Sequence, residues 1–306
     1  MPNLNDINDA ALQRMVGQLD SLADMFTVSE LGLRKPYKPG SLARKDGHAQ
    51  HHFVGPWTQQ PVDTLHMHVQ GFMDRATDHL RTLALAISAP GIAYSVLSLA
   101  RITMSASSYT YYLLNSDIEV RERICRVMNV VLVSHLAQLR LIQAPSIDSD
   151  ATELAKVETW IQDLHTTAQQ HEFSVTMQGG SRSRLPHHFG DAMPSETDLV
   201  NTLFGGSNNS DYGIFAYRLC SAAVHNQPHI ESIRPLPTSG SSRGATDVRP
   251  ITPQALTAVL VAAASGYVKS NNEVMTYFGV EGREEKMATA TAILTDLAES
   301  ELPVGV

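Results

Sequence analysis

The longest helical pattern in the chain runs from residue 62 to residue 88. Leu65, Val69, Phe72, Met73, Ala76, Leu80, Leu83, Ala84 and Ile87 recur there at spacings of three and four. At 1.5 Å per residue this is a helix of about 40 Å, and a stripe that long is buried only against other long helices. The sequence provides them. Residues 93–114, rich in Ser, Ala and Tyr, predict a helix whose small side chains allow close approach. Residues 118–141 predict another, with Ile124, Val127, Met128, Val131, Leu132, His135, Leu136 and Leu139 inward and Glu119, Arg121, Glu122 and Arg123 on the exposed side. Ser116, three residues before Glu119, has capping-box spacing, and Ser195 stands as a cap three residues before Asp198.

Further helices are expected over residues 3–26, 150–171, 195–204, 252–269 and 284–299, and around Arg218. The fold class read from this is all-α, a bundle of roughly eight to ten helices in a single helical domain over residues 1–306. Irregular loops are expected at about 32–61, 178–194 and 226–251, where Pro and Gly interrupt the pattern. Period-two alternation at 173–177, and short apolar segments at 230–233 and 246–251, allow at most a small β-ribbon.

A net charge of −8 argues against a general nucleic-acid coat or membrane-surface binder, since both neutralise phosphates with excess Lys and Arg. The one local basic cluster is Arg182, Arg184, His187 and His188, in a segment that reads as a mobile loop. Cys125 and Cys220 lie inside apolar helical patterns and are expected to be free, buried thiols. No apolar run reaches the ~18 residues of a membrane span, and the first residues lack a leader pattern, so a cytoplasmic protein without a membrane anchor is expected.

Chemistry with a definite geometry occurs at residues 217–229, a small-residue helix stopped by Pro228. Arg218 and His225 are seven residues apart, so they share a face, about 20° apart around the axis and about 10 Å along it. Ser221 lies between them. A fixed cation and an imidazole over an open strip make a candidate catalytic pair, with Ser221 beside it and His79, at the margin of the long stripe, as a further candidate. The structural alternative makes His225 a helix-end cap and pairs Arg218 with Asp78 or Glu122.

Other chemistries lack their motifs. The sequence contains no phosphate loop and no dinucleotide fingerprint. Gly240-Ser241-Ser242-Arg243-Gly244 matches a nucleophile elbow only literally, in a polar stretch without strand or helix. His48, His51 and His52 cluster beside Asp46 with no Cys, and no Glu-x-x-His pair offers a di-iron site, so neither a metal nor a cofactor is expected.

Residues 78–84 (DHLRTLA), 113–123 (LLNSDIEVRER) and 217–228 together resemble a family of uncharacterised actinobacterial helical proteins, which implies a cytoplasmic α protein without assigning an activity. Members of that family tend to carry an acid near position 105, after the arginine matched by Arg101; this chain has Ser105. Arg218 followed after six residues by His225 is also similar to the Arg-x(4–6)-His signature of HEPN-type nucleases. That resemblance implies a metal-independent ribonuclease or an inactive relative, working as paired subunits, with Arg218 stabilising phosphate charge and His225 moving a proton. Leu219, where the family has a polar residue, and Pro228, soon after the histidine, depart from its pattern. The expected partners are RNA, a second copy of the chain, or a small-molecule ligand. Two alternatives of different class stand beside the nuclease: a non-catalytic helical interaction or regulatory protein, and an enzyme holding a small metabolite between helices with His79, His225 and His229.

Overall fold

The computed structural model describes residues 9–27, 31, 33, 35–89, 94–144, 151–179, 185–205, 210–225 and 252–300. Among them are ten α-helices and one two-stranded ribbon, an all-α bundle. In chain order these are α1 (Asp9–Met25), α2 (Leu42–Ala49), α3 (Pro61–Ser88), α4 (Tyr94–Leu114), α5 (Val120–Ile142), α6 (Ala151–Gln170), β1 (Val175–Met177), β2 (Pro186–Phe189), α7 (Glu196–Phe204), α8 (Ser210–Val224), α9 (Pro253–Phe278) and α10 (Arg283–Glu299).

The central element is α4, which packs against α3, α9, α8 and α7. Its composition explains this position. Thr103, Ser107, Ser108 and Thr110 are all buried, and small side chains let four neighbours come close. Three of these hydroxyls fold back on their own helix: Thr103 donates to the Leu99 carbonyl, Ser108 to that of Ser105 and Thr110 to that of Ala106, while the Ser107 hydroxyl has no partner among the described residues. The long stripe of α3 lies on α4 and α1, with Leu65, Leu80 and Leu83 fully buried. Each such leucine contributes about 1.5–3 kcal/mol relative to exposure. Arg81 pairs with Asp24 at 2.6 Å across α3 and α1, and the Gln18 amide reaches Asp296 to hold α10 on α1.

Helix ends follow local chemistry. Pro61 opens α3, where its missing N–H costs nothing. Ser195 accepts from the Asp198 N–H to cap α7, and Thr252 caps α9 ahead of Pro253. Gly279 ends α9 in the left-handed conformation, φ +67°.

Four sequence expectations are corrected. Residues 32–61 are not irregular throughout: Ser41 caps α2, a 3-10 turn follows at Gln50–Phe53, and Ala43 and Asp46 of α2 are buried. Residues 178–194 are not loop alone, because Pro186–Phe189 forms β2, antiparallel to β1 with Val175 opposite Phe189. The side chain of Asn129 makes that strand, accepting from the Phe189 N–H and donating to the carbonyls of Phe189 and Asp191. The capping box at Ser116 does not form; the Ser116 N–H bonds Glu273 on α9 instead, and Glu119 becomes the N-cap residue of α5. Arg123, read as exposed, is 1% exposed. The apolar segments at 230–233 and 246–251 lie outside the described residues. By length and hydropathy α5 could cross a bilayer, and in the bundle its apolar face packs inside the protein.

Glycine spacing offers a test of the packing around α8. A Cβ at Gly213 would overlap the Phe204 ring, whereas one at Gly17 in α1 would meet nothing within 4 Å. Both substitutions to Ala gain about 1 kcal/mol of helix propensity, but overpacking costs about 1–3 kcal/mol. Urea denaturation is expected to show Gly17→Ala stabilised and Gly213→Ala neutral to destabilised, leaving Gly213→Ala the less stable of the two.

Candidate functional site

The inner side of α8 is built from small or flat residues. Ala216, Tyr217, Cys220, Ala222 and Ala223 are buried against α4, α7 and α9. With that arc committed to the core, helical periodicity turns Arg218 and His225 to the opposite arc, and both are exposed. Ser221 between them is half-buried. Among the described residues neither Arg218 nor His225 has a side-chain hydrogen bond or ion pair. Glu122 is engaged by Arg126 at 2.9 Å, and Asp78 makes no ion pair with Arg218. Phe215, three residues before Arg218, is 59% exposed on the adjoining strip.

Directly beneath, a polar network fixes α8 to its neighbours. Arg101 on α4 meets Glu196 on α7 at 2.9 Å, and the Ser105 hydroxyl donates to the other Glu196 oxygen. The Arg101 guanidinium lies over the Tyr217 ring of α8, 5.7 Å from its centroid. Burial, reinforced by the Glu196 carboxylate, pushes the Tyr217 phenol up to about 12, so it remains a protonated donor at neutral pH. Glu196 thus sets a carboxylate against Ser105 from another helix.

The other sequence candidates lie elsewhere. His79 is half-buried on α3, which packs mainly on α4 and α1, while α8 packs on α4, α7 and α9. His229, Arg182, Arg184 and residues 240–244 lie outside the described residues. His187 and His188 are on β2, against α5 and α6, with their Nδ1 atoms 2.9 Å apart. In the His48, His51 and His52 cluster, His51 Nδ1 bonds the His48 carbonyl at 2.8 Å, and its ring lies against that of His52 at a tilt of 42°. Among the described residues no group of three or more His, Cys, Asp or Glu side chains could hold a metal. Both cysteines are buried and free, and burial pushes each thiol up to about 12. They are poor nucleophiles.

No family model matches this chain. Neither does any curated protein or solved structure match it significantly, so its chemistry is read from its own side chains.

Sequence reasoning missed a second constellation, a line of five side chains from α2, α3, α5, α9 and the segment before α2, buried except for the half-buried Tyr37. Arg123 donates to Asp46 Oδ2 at 2.9 Å and to the Asn115 carbonyl at 3.1 Å. Tyr277 donates to the same Asp46 oxygen at 2.9 Å. His66 Nε2 lies 3.0 Å from the Tyr277 hydroxyl, and His66 Nδ1 lies 2.8 Å from the Tyr37 hydroxyl. Burial is the main cause of each shift along the line. It drives His66 down to about 4, against the pull of Asp63, and holds Tyr277 well above an ordinary phenol, reinforced by Asp46. It also raises Asp46, with Arg123 and the Tyr277 hydroxyl pulling the other way. His66 is therefore neutral near pH 7. The Tyr277 proton is spent on Asp46, so His66 Nε2–H donates to Tyr277 and its bare Nδ1 accepts from Tyr37. One signal for His66 was available: it follows Val62 by four residues and precedes Val69 by three, inside the apolar stripe.

Proposed function

We propose that the chain is a HEPN-like helical protein acting on RNA, with Arg218 and His225 of the α8 face as a metal-independent cleaving pair. The observation that supports this reading is that a guanidinium and an imidazole share one exposed face, with no protein partner among the described residues. An arginine needed only to hold the bundle together would be paired, as Arg81, Arg101, Arg123 and Arg126 are.

In the proposed step the ribose 2′-oxygen attacks the adjacent phosphorus and the bond to the 5′-oxygen breaks. His225 accepts the 2′-hydroxyl proton, and the leaving 5′-oxygen takes up a proton, giving a 2′,3′-cyclic phosphate and a 5′-hydroxyl. Arg218 neutralises the charge that builds on the non-bridging oxygens. A single α8 carries one such pair, and a second copy apposed on this face supplies the imidazole that returns the proton. Ser221 lies within the strip that the backbone would cross. Phe215 offers a flat apolar surface for a base, and base–aromatic stacking contributes about 1–3 kcal/mol. The substrate this favours is single-stranded.

The test uses unstructured RNA in excess chelator. Cleavage to cyclic-phosphate ends is expected, with loss in His225→Ala and Arg218→Ala at unchanged melting temperature, since both side chains are exposed. Phe215→Ala is expected to weaken RNA binding by roughly fivefold to a hundredfold while leaving bound-state cleavage intact. RNA left intact by the full-length chain, or cleaved equally well by His225→Ala, would refute the nuclease reading. Binding without cleavage, lost in Arg218→Ala and Phe215→Ala, would identify α8 as an RNA-holding surface of the inactive kind.

A further inference from the structure

Away from α8, the segment around Tyr37, one face of α3 and Phe278 at the end of α9 enclose a cleft of about 280 Å³. Its walls are apolar where Val69, Met73, Leu33 and Phe278 meet, and its size is at the small end for a ligand site, room for one ring and a short chain. The polar groups that reach it are the Lys35–Asp63 ion pair, the Gln70 amide, the His66 ring and the Tyr37 hydroxyl. The Tyr37 proton is committed to His66 at 2.8 Å, and the His66 ring is itself committed to Tyr277 at 3.0 Å, so the Tyr37 oxygen faces the cleft with lone pairs only. Asp63 is the second acceptor, its side chain 22% exposed. Its present partner is Lys35 at 2.6 Å, on a side chain 58% exposed. Exposed pairs of that kind add little net stability, so a competing cation displaces Lys35 at small cost.

We infer that this cleft binds a small primary amine, an ammonium group on an apolar body. The ammonium takes the place of the Lys35 head between the Asp63 carboxylate and the Tyr37 hydroxyl, and the body lies against Val69, Met73 and Phe278. Tyr37 and Phe278, with ring centroids 5.3 Å apart, add the negative faces of two aromatic rings to the same attraction. A carboxylate of equal size would set its charge beside that of Asp63, whose ion pair with Lys35 it would have to share. An uncharged hydrocarbon would leave that ion pair in place and gain only the apolar contacts.

The probe is 2-phenylethylamine titrated into the full chain, followed by the methyl resonances of Met67 and Met73, with 3-phenylpropionate as the size-matched anion. Saturable shifts are expected with the amine and none with the carboxylate. Asp63→Asn is expected to weaken the amine at least about tenfold, and Met73→Trp, which fills the cleft, to abolish binding. Absence of saturation up to about 10 mM amine, a weaker affinity than any useful site, would overturn the inference. So would equal binding of the carboxylate, or undiminished binding by Asp63→Asn.

Discussion

Arg123→Met is expected to destabilise the fold by about 3–5 kcal/mol, because it strips from a buried carboxylate its one cation among the described residues. Asp46 is 5% exposed and its Oδ2 is shared by Arg123 and Tyr277. Without the guanidinium, the Tyr277 hydroxyl is the sole neutral donor left to that oxygen among the side chains that now bond it. The variant can escape by protonating Asp46, and this fixes the sign of a pH effect. Burial already raises that carboxyl, and losing Arg123 raises it further. A group with a raised folded pKa loses stability as pH rises through that value, so the deficit of Arg123→Met is expected to be larger at pH 7 than at pH 4.5. The double variant Arg123→Met with Asp46→Asn removes both charges while keeping an acceptor for Tyr277. It is expected to recover most of the loss, since a buried pair has little net worth over a neutral replacement. Urea titrations of the two variants at both pH values measure this. A double variant no more stable than Arg123→Met would show that the guanidinium acts through packing, as in its contact 5.2 Å over the Tyr277 ring.

The long helices were legible in the sequence because their signal is repeated many times. The stripe from Leu65 to Ile87 repeats its spacing over more than twenty residues, and no tertiary contact is needed to see it. The Arg218 and His225 geometry was legible for the same reason, seven residues being close to two helical turns. Arg123 was not. Charge at residues 119–123 normally marks a solvated first turn, and what buries this arginine is Asp46, 77 positions earlier in a stretch whose Pro and Gly content masks an eight-residue helix. β2 was hidden similarly: its hydrogen bonds come from Asn129 on α5 and from β1, neither visible in residues 186–189 themselves. Tyr277 lies past residue 269, where the helix starting at 252 was expected to end, in a helix that continues to Phe278. Local periodicity specifies helices, while buried polar pairs are long-range facts that it does not encode.

Lowering the pH from 6.5 to 4 is expected to withdraw on the order of 3 kcal/mol of stability through His66 alone. An unfolded histidine titrates near 6.5, whereas burial drives folded His66 down to about 4. Between those values the unfolded chain holds a proton that the folded chain refuses, so acid favours unfolding. The contribution is complete above the unfolded value and gone below the folded one. Asp46, raised by burial, works in the opposite sense, and the remaining carboxylates add their own slopes. The informative quantity is therefore the difference between the parent and His66→Gln, which keeps a donor and an acceptor but does not titrate. Urea midpoints at pH 7, 5.5 and 4 are expected to fall more steeply for the parent. Equal slopes would mean that the imidazole is open to protonation in the folded state. The same proton has a consequence at the cleft. Once His66 Nδ1 carries hydrogen it can no longer accept from Tyr37, whose hydroxyl turns its own proton outward. Acid is then expected to weaken amine binding by removing the Tyr37 acceptor.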